Sequence, residues 1–345
     1  MIREYLNTLY VSREDAVVCL EGDTLQVLQD GKRLAHVPLH HLGSLVLFGN
    51  SHITGPALMR CAEDGRHVVF LSRTGRFKAR VEGPTTGNVL LRLAQFRGVD
   101  DPEVHTPIVR NIIAGKIRNQ RNLLNRGARD ATDEQKAAAL RSAVARIDGL
   151  LLDIEHQSNV NELRVIEGVV AQQYFEVFGH LISDRQPDFA FHLRSRRPPR
   201  DRMNALLSFL YAMLQSDCTA AICAVGLDPQ VGFLHVLRPG RPSLALDLME
   251  EFRPLLADRL ALTLVNRNEV TKTDFVKYPG GGVMLNDVGR KKVVIAYQER
   301  KKVEHSHPFL KEDVPLGLMP YLQARLFARV LRGDLLAYPP AILKI

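Results

Sequence analysis

The 345-residue sequence contains no tryptophan, few other aromatic residues and few cysteines. Aromatic residues make up 6% of the chain, which argues against a sugar-binding platform of stacked rings. The four cysteines form no CxxC pair, so reduced thiols in a cytoplasmic protein are expected rather than a zinc ribbon or a disulfide framework. No signal peptide is visible at the N-terminus, and no apolar run approaches the roughly 20 residues of a membrane span.

Three common catalytic motifs are also missing. The stretch YPGGGVML at 278–285 has adjacent glycines but no following Lys-Ser or Lys-Thr, so it is predicted to be a loop rather than a phosphate-binding loop. Neither a GxSxG elbow nor an HExxH helix occurs. These absences exclude the commonest classes of ATPase, hydrolase and metalloprotease.

What the sequence has is positive charge. The formal net charge is +8 and the sequence pI is about 9.4. This balance favours a polyanionic partner, and nucleic acid before a membrane surface, although a merely basic globular protein would have the same composition.

Secondary-structure signals divide the chain into a β-rich first part and a helical second part. Short β-forming runs separated by turn signals fill residues 1–82, with one helix and a final strand pair around a turn at Arg73–Gly75. Glycine and proline mark a linker at 83–90, and helical spacing dominates 91–345. We therefore predict an α+β protein of two domains, a small N-terminal β-rich domain followed by a larger all-α catalytic domain.

Four ionisable residues lie in apolar segments of the second part. Glu167 borders the apolar face of LRVIEGVVAQQYF, where it needs a cation or a hydrogen-bond partner; Arg164 at i−3 offers a purely structural one. A lone histidine such as His235 in GFLHVL is more often a satisfied core histidine than a ligand. Asp247 and Glu250 are three residues apart, so a helix places them on one face, where they repel unless something positive lies between them.

Together, these residues suit a divalent cation. Oxygen ligands favour magnesium or manganese, and one imidazole shifts the preference towards manganese.

Three nearby residues have simpler interpretations. Glu251 and Arg253 can be solvated surface charges. Tyr174 lies seven residues after Glu167 on the same helical face, where packing is favoured over a phosphotyrosine link of the recombinase type.

Three ordered motifs resemble the CRISPR adaptation integrases. The segment LRVIEGVVAQQYF resembles their Glu-Gly…Tyr-Phe helix. The segment DRMNALLSFLYAMLQSDCTAAICAVGLDPQVGFLH resembles their Asn-Ala-Leu-Leu…Gly-Leu-Asp-Pro…Gly-Phe-Leu-His run, and SLALDLMEEFRP resembles their Asp-Leu-Met-Glu…Phe-Arg-Pro segment. Order and spacing hold across 160–254, and the β-then-α order extends the resemblance over the chain. The length and GGGV…RKKVVIAYQERK look most like the subtype I-C branch.

The resemblance implies a metal site that binds Mg²⁺ or Mn²⁺ through Glu167, His235 and Glu250. Many relatives carry the shorter Asp at the position of Glu250. The resemblance also places Asp247 beside the site as a further catalytic residue that binds metal, hydrogen-bonds a ligand or positions substrate.

The implied reaction is phosphoryl transfer without ATP. The 3′-hydroxyl of a captured DNA fragment attacks a phosphodiester at the edge of a CRISPR repeat, and the fragment is joined as a new spacer. The implied partners are double-stranded DNA, a second copy bound through the β domains, and a small partner protein whose dimer lies between two integrase dimers. Two alternatives are a metal-dependent nuclease acting on branched or repair DNA, and a non-catalytic DNA-binding scaffold.

Clusters of basic residues are candidate DNA contacts, although each could also be a solvated face. The densest is HLRSRRPPRDR, which precedes the Asn-Ala-Leu-Leu helix. Contacts between such residues and phosphates give affinity with little sequence information and strong salt dependence. The candidate DNA-binding residues are Arg194, Arg196, Arg197, Arg200, Arg202, Lys116, Arg118 and Arg121.

Overall fold

The computed structural model describes residues 8–11, 13–72, 77–81, 83 and 89–343. The predicted turn at Arg73–Gly75 and positions 84–88 of the predicted linker lie outside the described residues.

The first part of the chain forms two four-stranded sheets, ordered β1-β5-β7-β8 and β4-β3-β2-β6. In the first sheet β1, β5 and β7 are parallel and β8 is antiparallel; in the second, β2, β3 and β4 are antiparallel and β6 is parallel to β2. The elements are β1 (Thr8–Val11), β2 (Val17–Glu21), β3 (Thr24–Gln29), β4 (Lys32–Pro38), β5 (Ser44–Phe48), β6 (His52–Ile53), α1 (Gly55–Glu63), β7 (His67–Leu71) and β8 (Phe77–Val81).

Local sequence explains the tightest connection in this region. Asp30 and Gly31 connect β3 to β4 and both have positive φ, 50° and 73°. An Asp-Gly pair is favoured in such two-residue hairpin turns because both positions need the left-handed region, which glycine adopts without strain. The turn sets the pairing of Gln29 with Lys32.

Strand β5 is buried on both faces and joins the two parts of the molecule. Leu45 and Leu47 belong to the core between the sheets, whereas Val46 and Phe48 belong to the helical core. This division follows from the two-residue period of a strand. The Phe48 ring stacks on that of Phe209, with centroids 5.7 Å apart.

The second part is mostly helical, and its helices are α2 (Val89–Asp100), α3 (Pro102–Asp130), α4 (Glu134–His156), α5 (Val160–Val177), α6 (Arg202–Val225), α7 (Ser243–Met249), α8 (Arg259–Asn266), α9 (Asp287–Lys302) and α10 (Met319–Leu331). A 3₁₀ turn (Glu250–Phe252) and a π-helical segment (Arg253–Asp258) connect α7 to α8.

The expectation of an all-α second part is wrong in detail. Two hairpins occur there, β9 (Phe275–Lys277) with β10 (Val283–Leu285) and β11 (Glu304–Ser306) with β12 (Asp313–Pro315). The glycine run of YPGGGVML is the turn of the first hairpin, which agrees with its prediction as a loop. Strands of three residues are too short to show a two-residue period in the sequence.

Helix α6 has the length and composition of a membrane span but lies in the core of the helical part. Asp201 caps its N-terminus by accepting a hydrogen bond from the Asn204 amide at 2.7 Å, and the helix ends at Gly226, whose φ is +86°. By length and hydropathy it could cross a membrane, but 67% of its apolar 18-residue stretch is buried inside the protein. Its apolar character is therefore accounted for by the core that it occupies.

Candidate active site

Residues from three separate parts of the chain converge beside helix α3. Glu167 projects from the middle of α5, Glu250 begins the 3₁₀ turn after α7, and His235 lies in the loop between α6 and α7. The Lys116 ammonium contacts Oε1 of Glu167 and lies 2.7 Å from Oε2 of Glu250. Nε2 of His235 is 3.7 Å from Oε1 of Glu250. The structure thus brings together the three predicted metal ligands.

The site is buried at one end and open at the other. The side chain of Glu250 is 3% exposed, whereas those of Glu167 and His235 are 25% and 21% exposed. A ligand from solvent therefore reaches the Glu167 and His235 side first.

Glu250 is surrounded by cations. Burial alone would raise the pKa of its carboxyl, but Arg253, Lys116 and His235 outweigh burial and lower the pKa to about 2. NH2 of Arg253 lies 3.0 Å from Oε1 of Glu250. Glu250 is therefore an anion at neutral pH.

Arg253 and its neighbour Glu251 are not solvated surface charges. The Arg253 guanidinium lies over the Tyr211 ring, 4.8 Å from its centroid. Glu251 is 1% exposed and accepts hydrogen bonds from the Tyr338 hydroxyl and, at 2.6 Å, from the Ala341 amide. The sequence interpretation missed both because Tyr211, Tyr338 and Ala341 lie far away along the chain. The pairing of Arg253 with Glu250, three residues earlier, was also not recognised.

Asp247 fixes the loop that carries His235. One carboxylate oxygen accepts the amide protons of Phe233 at 2.6 Å and Leu234 at 3.0 Å. The other accepts the His235 amide at 2.9 Å and lies 2.7 Å from Nδ1 of the imidazole. With Nδ1–H donated to Asp247, the lone pair of Nε2 faces Glu250. Of the roles predicted for Asp247, this arrangement supports a hydrogen bond to a ligand of the site.

Three polar side chains also hold this loop, and only one of them, Arg164, was singled out in the sequence, for a different role. Gln95 of α2 donates to two loop carbonyl oxygens, both at 2.8 Å. His105 of α3 donates to a third at 2.7 Å and Arg164 of α5 to a fourth at 2.8 Å. Arg164 therefore bonds to the loop and does not pair with Glu167, whose ion-pair partner is Lys116. Side chains that bond to backbone leave no spacing pattern in a sequence.

The donor set fits a divalent cation. Two carboxylates and one imidazole nitrogen are ligands that magnesium and manganese accept. Among the residues described, no group of three or more His, Cys, Asp and Glu side chains is close enough to hold an ion as it stands. At the centre of the site, the Lys116 ammonium lies between the two carboxylates. The two carboxylates thus stabilise a positive charge between them.

Comparison with known proteins identifies the family of the chain. The family model described as CRISPR associated protein Cas1 matches residues 9–299. The chain belongs to the Cas1 family. It is 52% identical over 335 residues to a CRISPR-associated endonuclease Cas1 of Moorella thermoacetica, a match that covers 97% of this chain and 98% of the relative. A second such endonuclease, from Rhodospirillum rubrum, is 51% identical over 98% of this chain and 99% of the relative.

Solved structures show the same fold. A Cas1 protein from Thermotoga maritima matches with a TM-score of 0.78 at 24% identity, covering 95% of this chain and 97% of that one. A casposase bound to its integration product matches with a TM-score of 0.79 at 21% identity, covering 95% and 91%. The mixed fold predicted from the sequence, β-rich first and helical afterwards, is confirmed, and so is its assignment as a CRISPR-associated endonuclease of the Cas1 family.

The predicted DNA cluster of this Cas1 chain adjoins the carboxylates. Arg196, Arg197 and Arg200 are exposed on an ordered turn: the Arg200 amide donates to Oγ of Ser195 at 2.9 Å. A cavity of about 610 Å³ opens beside this turn, and none of the described residues that line it is acidic. The arginines that line it are Arg194, Arg196, Arg197 and Arg253. Arg253 also contacts Glu250, so this one side chain borders both the cavity and the carboxylate site.

The other arginines of that cluster have protein partners. Arg194 donates to Oδ1 of Asn204 at 2.7 Å and to Oγ of Ser208 at 3.1 Å. Arg202 donates to the carbonyl of Asp188 at 2.7 Å. Arg194 and Arg202 therefore hold the turn in position. Their guanidinium groups are partly engaged by the protein and have fewer donors free for DNA than those of Arg196, Arg197 and Arg200.

The predicted stretch on α3 contains one clear error. Lys116 is predicted at a DNA surface, but its side chain is 7% exposed and its ammonium forms ion pairs with Glu167 and Glu250. Arg118 lies 3.7 Å from Glu155, and Arg121 donates to Asp148 at 3.2 Å, both near the surface. A single helix thus presents Lys116 inward and the two arginines outward.

Tyr174 packs in the core. It is fully buried, and its hydroxyl donates to Oδ2 of Asp258 at 2.8 Å. This placement supports packing over attack on DNA by this hydroxyl.

Proposed function

We propose that the chain is the DNA-joining enzyme of CRISPR adaptation. The single observation that carries the proposal is the convergence of Glu167, His235 and Glu250 beside an arginine-lined cavity. The 3′-hydroxyl of a captured fragment attacks a repeat phosphodiester; one P–O bond forms and another breaks. The hydroxyl loses its proton and the leaving deoxyribose oxygen gains one. Bond numbers balance, so no ATP is consumed.

Glu167, His235 and Glu250 would hold Mg²⁺ or Mn²⁺ in this reaction. When bound, the cation supplies Lewis-acid polarisation of the scissile phosphate. Asp247 keeps the imidazole oriented, and Arg253 neutralises Glu250 from the protein side. Arg196, Arg197 and Arg200 bind DNA phosphates, and Arg194, Arg202, Arg118 and Arg121 contribute from their partly paired positions.

We further propose the assembly and boundaries that the sequence suggests. Residues 1–82 form a β-rich domain through which two copies dimerise, 83–90 link it to the rest, and 91–345 form the catalytic domain. Two such dimers bind one dimer of a small partner protein and double-stranded DNA in the cytoplasm. A chain of a Cas6-RT-Cas1–Cas2 complex contains a related fold over 36% of its length, which supports a partner of this kind. The resemblance of the GGGV…RKKVVIAYQERK segment supports the subtype I-C branch.

A joining assay tests the proposal. The protein and its small partner are incubated with a short duplex, a plasmid that contains a CRISPR repeat, and Mn²⁺. Joined product supports the integrase. Cleavage without joining contradicts it in favour of a nuclease acting on branched or repair DNA, and DNA binding without either reaction contradicts it in favour of a scaffold.

Matched variants test the site. We expect alanine at Glu167, His235 or Glu250 to abolish joining and to leave DNA binding largely intact. Glu176→Ala is the control, since Glu176 lies on the same helix α5 but is 67% exposed and 3.9 Å from Arg146. Normal joining by all three site variants would mean that the reaction occurs elsewhere.

A further inference from the structure

Lys116 is an unusual occupant of a buried helix face. It lies in the middle of α3 between isoleucines that are almost fully buried, among them Ile113 and Ile117 at 0% exposure. Its aliphatic stem passes through this core, and its ammonium emerges between Glu167 and Glu250. Burying a charge is unfavourable unless the charge is paired, so the two carboxylates explain why lysine is tolerated there.

The carboxylates depend on Lys116 in return. Glu250 has a second cation, Arg253, on its other oxygen, at 3.0 Å. For Glu167, Lys116 is the one cationic ion-pair partner among the described residues. Without a cation between them, the two carboxylates would repel across a poorly solvated gap. The ammonium therefore keeps the two ligands assembled.

A divalent ion that joins the two carboxylates would occupy the space between them. The Lys116 ammonium fills that space, since it contacts Oε1 of Glu167 and lies 2.7 Å from Oε2 of Glu250. An ammonium cannot share that space with a metal ion, but the flexible four-carbon stem of lysine allows it to move aside. Lysine and metal are thus competitors for one position.

We propose that Lys116 is an internal counter-ion of the metal site, which holds Glu167 and Glu250 together when no divalent cation is bound and is displaced when one binds. The proposal deepens the proposed function and rests on it, since it takes the ligand of the site to be a divalent cation. It makes Lys116 a positioning residue that weakens metal binding while preserving the site.

The first test measures Mn²⁺ binding alone, by titration calorimetry, without DNA. Lys116→Met keeps most of the length of the side chain and removes the charge. If the ammonium occupies the site about nine-tenths of the time, its removal tightens Mn²⁺ binding about tenfold. We also expect the melting temperature in EDTA to fall by about 5 °C or more, and Mn²⁺ to raise it further than in the wild type.

Lys301→Met is the matched control. Lys301 is equally buried, with a side-chain exposure of 6%, and pairs with Asp217 at 2.9 Å away from the carboxylate site. We expect it to lower the melting temperature without changing Mn²⁺ affinity. Unchanged or weaker Mn²⁺ binding by Lys116→Met overturns the proposal. Absence of saturable binding in the wild type overturns both this proposal and the metal-dependent function.

A measurement on the wild-type protein covers the case in which Lys116→Met fails to fold. Reductive methylation followed by peptide mass spectrometry reports how readily each lysine reacts. We expect Mn²⁺ to increase labelling of Lys116 at least about threefold over EDTA, because displacement frees the ammonium, and to leave Lys301 unchanged. Equal or slower labelling of Lys116 in Mn²⁺ contradicts displacement.

Discussion

Nδ1 of His235 lies 2.7 Å from Oδ1 of Asp247, and that carboxylate also accepts the backbone amides of residues 233–235. One buried group thus orients both the imidazole and the loop that carries it. Asp247→Asn replaces one carboxylate oxygen, which accepts hydrogen bonds, with an NH2 group, which donates them. This NH2 group would face the backbone N–H groups of the loop or the Nδ1–H of His235, which are also donors. We expect unfolding free energy to fall by about 2–3 kcal/mol and joining activity to fall about 10- to 100-fold.

Denaturant unfolding and the joining assay check this prediction, with Asp228→Asn as control. Asp228 accepts one amide, that of Gln230, at 2.8 Å and lies in the same loop. Its substitution should change stability by less than about 1 kcal/mol. Equal losses in the two variants would show that Asp247 has no special positioning role.

Gly232 is required where the same loop passes α7. A Cβ at this position would lie 2.6 Å from the backbone carbon of Ser243 and 2.7 Å from Oδ2 of Asp247. We expect Gly232→Ala to destabilise the protein by about 1–3 kcal/mol, since the backbone must move to relieve the overlap.

Gly149→Ala is the contrasting variant. Gly149 lies inside α4, and a Cβ added there would have no heavy atom within 4 Å, so alanine should stabilise the protein by about 0.5–1 kcal/mol. Thermal unfolding measures both variants, and equal shifts would contradict the close approach of Gly232 to the backbone of α7.

Local patterns carried most of the prediction of the fold. The Asp30–Gly31 turn and the buried positions Leu163, Val170 and Tyr174 on α5 follow from turn chemistry and helical spacing. The hairpins at 275–285 and 304–315 did not, because three-residue strands form only against neighbours that the sequence does not identify.

Contacts between residues far apart in the chain also limited the prediction of the candidate site. Glu167 stood out as a carboxylate on an apolar helix, but its partner Lys116 is 51 residues away and resembled part of a basic stretch. A lysine between isoleucines can be a surface or a buried residue, and only the tertiary contacts of α3 distinguish the two. Gln95 and His105 were undetectable for a related reason, since they bond to backbone carbonyls that every residue possesses.

Asp258 should make stability depend on pH. Burial raises the pKa of this carboxyl to about 6, although hydrogen bonds from Tyr211 and Tyr174 act in the opposite direction. The unfolded chain releases the proton near pH 4. Between about pH 4 and 6 the folded protein therefore holds more protons than the unfolded one, and stability falls as pH rises through this window.

Asp258→Asn removes that titration. We expect the variant to lose less stability than the wild type between pH 4 and 6, by on the order of 2 kcal/mol. Urea unfolding at a series of pH values measures the difference, and Asp153→Asn on the exposed face of α4 controls for a change in net charge. Parallel stability curves for wild type and Asp258→Asn would contradict a carboxyl that is protonated preferentially in the folded state.

The exposed arginines of the ordered turn should determine how DNA binding responds to salt. Replacing Arg196, Arg197 and Arg200 by glutamine removes three charged groups that face solvent. Each phosphate that is no longer neutralised should reduce the slope of log K against log salt by about 0.9, so the slope of a triple variant should fall by up to about 2.7. Fluorescence polarisation of a labelled duplex across a sodium chloride series measures the slope.

Arg332→Gln is the control, because this arginine is 44% exposed but pairs with Asp334 at 2.7 Å. A triple variant with the wild-type slope would place the DNA path elsewhere, whereas a reduced slope with joining reduced in proportion to binding would place it along this turn, beside the carboxylates.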